Sequence, residues 1–299
     1  MRQTIPIITR AAWCLTLCLF ATAGHPVLAE ETDGVKLAYQ FQPGQIVRYE
    51  VGMADNYVVQ LNSVAQNPFT KQTSRKNYRV VSVNPDRSAV LELTIEAIAM
   101  QVGEDEKLQF EYRTGQQEEP DAAFAGVAEM VGKPYLRVTV SPLGEISNIH
   151  PLINKEQSPE EISQAALDVL IRLPAETLQV GAVWREDYES AVSVGEGSLK
   201  KPVKMQRRFT LRSIENGLAT IYMETKVLTP LHNPDEEVQM IRRTPRGTFV
   251  FDINRGLLVS RSLSQDNQVT GFGGQAGTMM KFKQQHIEKL TPAQTAAKD

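Results

Sequence analysis

The sequence predicts a mainly β protein: two tandem, duplicated antiparallel β modules, each a half-barrel or curved sheet, accompanied by two amphipathic helices. Three observations predict it. The segment Phe41-Gln42-Pro43-Gly44-Gln45-Ile46-Val47-Arg48 returns as Leu178-Gln179-Val180-Gly181-Ala182-Val183-Trp184-Arg185, with Gln, Gly and Arg in identical places. Two further blocks follow in the same order in both halves, Tyr78 to Leu93 matching Phe209 to Met223, and Leu136 to Ile146 matching Phe249 to Leu258. Through these blocks apolar and polar residues alternate with a period of two, and the links between them carry the turn residues of antiparallel hairpins.

The chain opens on an export signal. Met1, Arg2 and Arg10 give a positively charged start, Ala11 to Ala23 an apolar stretch, and Val27-Leu28-Ala29 a signal-peptidase site. The stretch is shorter than the roughly 20 apolar residues of a membrane span, and no later segment reaches that length. Cleavage is therefore expected after Ala29, giving a secreted or periplasmic mature protein without a transmembrane span. Cys14 and Cys18 leave with the signal, and their neighbours Trp13 and Leu17 are too bulky for a lipid-anchor site. The mature chain then has no disulfide, thiol nucleophile or cysteine metal site. The signal carries two of the 32 basic residues and no acid, so 30 basic residues face 35 acidic ones, a net charge of −5. That scattered acidity favours solubility and argues against nucleic-acid partners.

The first β module is expected over residues 30–155. Ala89, Leu91, Leu93, Ile95 and Ala97 fall on one strand face and Glu92, Thr94 and Glu96 on the other. A short helix is expected at about 121–131, between Asp121 and Gly132, and Ser141-Pro142-Leu143-Gly144 turns the terminal hairpin. A connecting helix follows at 156–176. Ser158-Pro159-Glu160-Glu161 is a capping box, and Ile162, Ala165, Ala166, Val169, Leu170 and Leu173 recur at helical spacing up to Pro174. The second module is expected over 177–290, with Ala219, Ile221, Met223 and Val227 inward and the turn Asn254-Arg255-Gly256 closing its hairpin. Asn233 to Ile241, opposite the first module's helix, has room for a short helix of its own. Segments 62–74, 103–120 and 195–202 are polar and read as hairpin tips or mobile loops, and 291–299 as a disordered tail.

Motifs of catalysis are sparse. His150, His232 and His286 are too far apart in sequence to suggest a zinc site, and neither G-x-S-x-G nor H-E-x-x-H occurs. Ser198-Leu199-Lys200-Lys201 matches S-x-x-K but lies in a polar loop without a companion K-T-G. Gly271 to Ala276 fits a loose G-x-G-x-x-A, yet an alternating run follows it where a dinucleotide site needs a helix. The acidic groups Glu104 to Glu106, Glu118-Glu119 and Asp235 to Glu237 read as solvated loop charge. The basic run Lys200, Lys201, Lys204, Arg207, Arg208 and Arg212 reads as the wet face of a strand, with an anionic envelope surface as its other reading. Trp184 is the tryptophan of the repeated motif and has two readings, stacking on a ligand or packing in the core.

With the signal, the Gly-x-x-Trp motif, the paired hairpins and the Gly271-Phe272-Gly273 ending in view, the chain resembles the uncharacterised exported proteins of planctomycete-type bacteria. That resemblance implies export and β architecture. At the level of fold it is also similar to the half-barrels that carry lipoproteins or lipids across the periplasm, in which helices lie against the concave face of a curved sheet.

The expected function is thus an exported, non-enzymatic binding or envelope-associated protein. Its partner is an apolar small molecule or an envelope component held between sheet and helix by Ile162, Ala166, Val169, Leu170 and Trp184. No catalytic residue, metal or cofactor is assigned. A carboxylate-dependent hydrolase and a scaffold without small ligand are the alternatives.

Overall fold

Alternation and turn chemistry build one open antiparallel sheet of 13 strands. The computed structural model describes residues 34–116, 120–153, 170–194 and 199–292. The first half contributes β1 (Ile46–Leu61), β2 (Val64–Gln66), β3 (Pro68–Val83), β4 (Ala89–Glu104), β5 (Lys107–Arg113), β6 (Pro134–Val140) and β7 (Ile146–Pro151). The second contributes β8 (Val183–Val194), β9 (Leu199–Glu215), β10 (Leu218–Val227), β11 (Arg246–Asp252), β12 (Leu257–Thr270) and β13 (Met279–Leu290). The order is β7-β6-β4-β3-β1-β13-β12-β11-β10-β9-β8, with β2 paired to β1 and β5 to β4. Every neighbour runs antiparallel, as period-two strands linked by short turns require. Strand β13 joins the halves, pairing with β12 on one side and β1 on the other.

Local chemistry accounts for the joints. Asn216 and Gly217 both have positive φ, the pairing that a two-residue hairpin between β9 and β10 demands. At the repeated motif, Gly44 N–H donates to the Val80 carbonyl, Val80 N–H to Gln45 and Gln45 N–H to Gln42. The matching residues Gly181, Leu211, Ala182 and Gln179 make the same three bonds.

The main core draws on both halves. Tyr49, Tyr78, Leu91, Leu93 and Val138 of the first half and Phe209, Leu211, Ile221, Met223 and Phe251 of the second belong to one buried apolar cluster. The segment before β1 crosses between the two hairpin tips and ties them: Tyr39 N–H donates to the Pro142 carbonyl at 2.7 Å and Gln40 N–H to Gly256 at 3.0 Å. The chain passes so close that a Cβ on Gly256 would lie 2.6 Å from the Gln40 nitrogen and 2.7 Å from the Ala38 carbonyl oxygen.

Two helices are described. Asp121 caps a 3₁₀ turn at Ala122–Phe124 that runs into α1 (Ala125–Met130). Val127, Ala128 and Val131 pack there against Ile98 of β4 and Tyr112 of β5. Helix α2 (Pro234–Met240) starts at Asn233, whose side chain accepts from Asp235 N–H, with Pro234 in the first turn. Asp235, Glu236 and Glu237 occupy that first turn, where the helix dipole favours negative charge. The acids read as loop charge are thus a helix start. The sheet curls enough for α2 to contact both β8 and β12, which stand four strands apart.

Several expectations change. Of the segments read as hairpin tips or loops, residues 64–74 and 107–113 are largely strand: the β1–β3 and β4–β5 hairpins extend past the core, so their side chains are polar while backbone pairing satisfies the chain. Of the connecting helix, 156–169 lies outside the described residues and 170–176 is not helical. Leu170, Ile171 and Leu173 enter the main core from an extended stretch instead. In β4 the strand skips a partner at Glu96, a bulge that shifts the alternation by one residue. Ala97 therefore faces away from the core, Ile98 faces it, and Glu96 bonds Arg48, Arg75 and Asn77. Residues 293–299 also lie outside the described set. No helix among the described residues is long and apolar enough to cross a membrane.

Candidate functional site

The core face of the sheet does not stay apolar along its length. Past Tyr49 and Tyr78 the same face turns to charge: Lys76 on β3, Glu288 and His286 on β13, Arg261 on β12, and Glu186 and Arg207 on β8 and β9. Register demands this placement, because Arg207 follows Val203 and Met205 and precedes Phe209 and Leu211 at every second position of one strand. Beyond the charged layer a second apolar cluster begins with Phe282, Val269, Ile241 and Tyr57.

Glu288 is the centre of that layer and is 1% exposed. Arg261 donates to it through Nε at 2.8 Å and again through Nη2, and Lys76 Nζ lies 2.9 Å from its other oxygen. Burial works to raise the Glu288 pKa, but the charges of Arg261 and Lys76 outweigh it and hold the carboxyl well below the usual range. Burial also lowers the Lys76 pKa, with Glu288 opposing that shift. Desolvation pushes the phenols of Tyr49 and Tyr135 upward.

Between this layer and α2 lies a cavity of about 490 Å³. Arg207, Arg242, Arg243, Arg261, His286 and Tyr188 line it, together with apolar Met53, Pro245 and Leu263. Met53 and Leu263 flank His286 on the neighbouring strands. The turn after α2 forms the roof and is held by polar bonds. Arg242 reaches Asp55 at 3.1 Å, Gln284 donates to Asp55 at 2.9 Å, and Gln265 donates to Gln284 at 2.9 Å. Asn267 donates to the Ile241 carbonyl at 2.7 Å. On the far side, Gln239 and Ser193 exchange two bonds and Lys201 pairs with Glu236 at 2.8 Å. Helix α2 is thus a strap across the curl of the second half.

A larger hollow, about 670 Å³, opens on the opposite sheet face. Its floor is Gly52, Ala54, Thr73 and Ala99, and Lys71, Gln101, Glu111 and Arg113 stand around it, so charges of both signs line this hollow. The strapped cavity combines converging polar groups with apolar walls, the combination that binding sites use.

Of the residues expected to hold a ligand, the two that are described, Leu170 and Trp184, do not line this cavity. Ile162, Ala166 and Val169 lie outside the described residues, and Leu170 is buried in the main core. Trp184 stacks on Phe209 with ring centroids 5.4 Å apart and donates from Nε1 to the Arg172 carbonyl at 2.8 Å, a core-packing role. Sequence reading passed over Arg242, Arg243 and Arg261, and met Arg207 only as part of a basic run and His286 only as an isolated histidine. Two carried a signal, since Arg207 and Arg261 are charges in the inward phase of alternating strands; Arg242 and Arg243 carried none. The basic run splits between faces, with Arg207 inward and Arg208 outward beside Glu224 at 3.3 Å.

A carboxylate acting as a general acid needs a raised pKa. Glu96, Glu224, Glu288, Asp86 and Asp266 all move downward instead, through hydrogen bonds and cationic neighbours that outweigh any burial. Among the described residues no group of three His, Cys, Asp or Glu is placed to hold a metal.

No family model and no curated protein matches this chain. Among solved structures, one describing lipid–protein interactions in lipovitellin is similar at TM-score 0.48 and 12% identity, over 87% of this chain and 27% of that one. The chain thus spans about a quarter of lipovitellin's length. DynF, from the dynemicin biosynthesis pathway of Micromonospora chersina, is similar at TM-score 0.21 and 7% identity, over 91% of this chain and 96% of its own. At these values the likenesses bear on neither ligand nor activity.

Proposed function

We propose that the chain is an exported, non-enzymatic binding protein that holds a small molecule between its sheet and helix α2. One observation carries the reading: a cavity of about 490 Å³, strapped over by α2, in which apolar walls surround convergent polar side chains. A protein that needed only a scaffold would gain more stability from closing that space with aliphatic side chains, because buried polar groups stabilise only when fully partnered. Export rests on the amino-terminal signal, with processing after Ala29. Of the stripe expected on the connecting helix, Leu170 serves the main core, so the ligand belongs under α2 in this proposal.

Native mass spectrometry of the full exported protein, purified from its own host, tests the reading. The expected spectrum begins at Glu30 and contains a noncovalent adduct of small-molecule mass. Filling the cavity with Met53→Trp should abolish the adduct while the melting temperature stays near that of wild type. Wild-type protein without any adduct, or an adduct that persists in Met53→Trp, would count against the cavity.

A further inference from the structure

The cavity under α2 is lopsided in charge. Arg207, Arg242, Arg243 and Arg261 line it, and among the described residues no carboxylate does. Counting the layer around it, Lys76, buried Arg207 and Arg261, half-buried Arg243 and exposed Arg242 face three acids, Asp55, Glu186 and Glu288. Each acid is already engaged: Glu288 by Arg261 and Lys76, Asp55 by Arg242, and Glu186 by Arg207 at 3.7 Å. Arg243 has no ion pair or side-chain hydrogen bond among the described residues. His286 Nε2 is buried without a hydrogen-bond partner among the described residues and stands 3.6 Å from Glu288.

An excess of cations on a half-buried wall is costly unless an anion completes it, because a charge leaving water needs an opposite charge or several hydrogen bonds in return. Arginine supplies a planar fork of donors that matches an oxyanion. Directly beside the arginines stand Met53, Leu263 and Pro245, which offer hydrocarbon surface and no polar side-chain partner.

Resting on the binding reading above, we propose that the ligand is an amphipathic organic acid whose carboxylate is bound by Arg243 with its neighbouring arginines and whose apolar body lies against Met53 and Leu263. Electrostatic attraction supplies recognition of the head, and burial supplies affinity for the body.

Calorimetric titration of the full chain with decanoate, decanol and inorganic phosphate tests this. Decanoate should bind at least ten-fold more tightly than decanol, and added sodium chloride should weaken decanoate alone. Arg243→Gln should weaken decanoate ten-fold or more and leave decanol unchanged. Arg243→Lys, which keeps the charge, should retain most of the decanoate affinity. Because Arg243 supports no other side chain, both variants should melt with wild type. Decanol binding as tightly as decanoate to wild type would overturn the anionic assignment while leaving the cavity intact as a binding site. Phosphate binding as tightly as decanoate would make the occupant a free inorganic anion and overturn the amphipathic assignment. Failure of wild type to bind decanoate and decanol alike would overturn this proposal, and with an adduct-free native spectrum the binding reading too.

Discussion

Glu288 shows how one side chain can hold three strands to a single arrangement. It sits on β13, takes Arg261 from β12 and reaches past β1 to Lys76 on β3. Replacing it by Gln leaves two cations facing each other in a dry layer, and at pH 7 this should cost about 3–5 kcal/mol, read from urea unfolding. The pH dependence follows from the sign of its shift. The folded carboxyl releases its proton at lower pH than the unfolded one, so between the two values the unfolded chain binds more protons. The stability Glu288 contributes is therefore fully present above the unfolded value of about 4.3 and is lost as acid approaches the folded value. Glu288→Gln should flatten that part of the acid profile. Leu93, 2% exposed in the main core, should cost about 2–5 kcal/mol on truncation to Ala. Glu92 on the same strand is not the idle surface acid that alternation suggests, since it is 8% exposed and accepts from Arg137 Nε at 3.1 Å. Its removal strands a half-exposed arginine, so a measurable loss, smaller than at Leu93, is expected from the same unfolding curves. Gly256→Ala should also destabilise, because its Cβ meets backbone on the crossing segment and its φ is +62°. Rescue by a second-site change at Gln40 would not be expected, as the obstruction includes the Gln40 nitrogen itself.

At the scale of elements, most strands and the helix at α1 were legible, and α2 falls where the sequence left room for a short helix. Strand β10 reads inward at Ala219, Ile221 and Met223 and is buried at all three. Helix α2 had its signature in full, with Asn233 as cap, Pro234 behind it and three acids in the first turn, although those acids by themselves read as loop charge. Asn233→Ala should cost about 1 kcal/mol of helix stability. Hydrogen exchange should localise that loss to α2 and the turn at 241–245, leaving the main core protected. The strands at 64–74 and 107–113 were legible only as hairpin tips or loops, because alternation marks a strand only where one face is buried. The Glu96 bulge was hidden for a related reason: one extra residue changes the phase without changing composition.

At the scale of the whole molecule, one core and one sheet run through both halves, and β13 joins β1 to β12. A single cooperative unfolding transition is therefore expected, with calorimetric and van't Hoff enthalpies in agreement. Fragments 30–155 and 177–290, made separately, should not fold to the stability of the whole, since each exposes half of the shared cluster. Two separated transitions, or a fragment as stable as the full chain, would mean that the modules are independent.

The amino-acid sequence by itself determined the β class, the hairpin turns, the inward phase of β10 and of β4 as far as Leu93, and the start signals of the two described helices. All of these depend on residues close together along the chain, through backbone conformation, capping bonds and period-two burial. Tertiary structure alone decided that Lys76, Arg207, Arg261 and Glu288 meet, that the turn after α2 brings Arg242 and Arg243 over them, and that a cavity remains between. The physical reason is distance along the chain. Asp55 and Arg242 are 187 residues apart and Asp55 and Gln284 are 229 apart, and only the curl of the sheet brings them within bonding range.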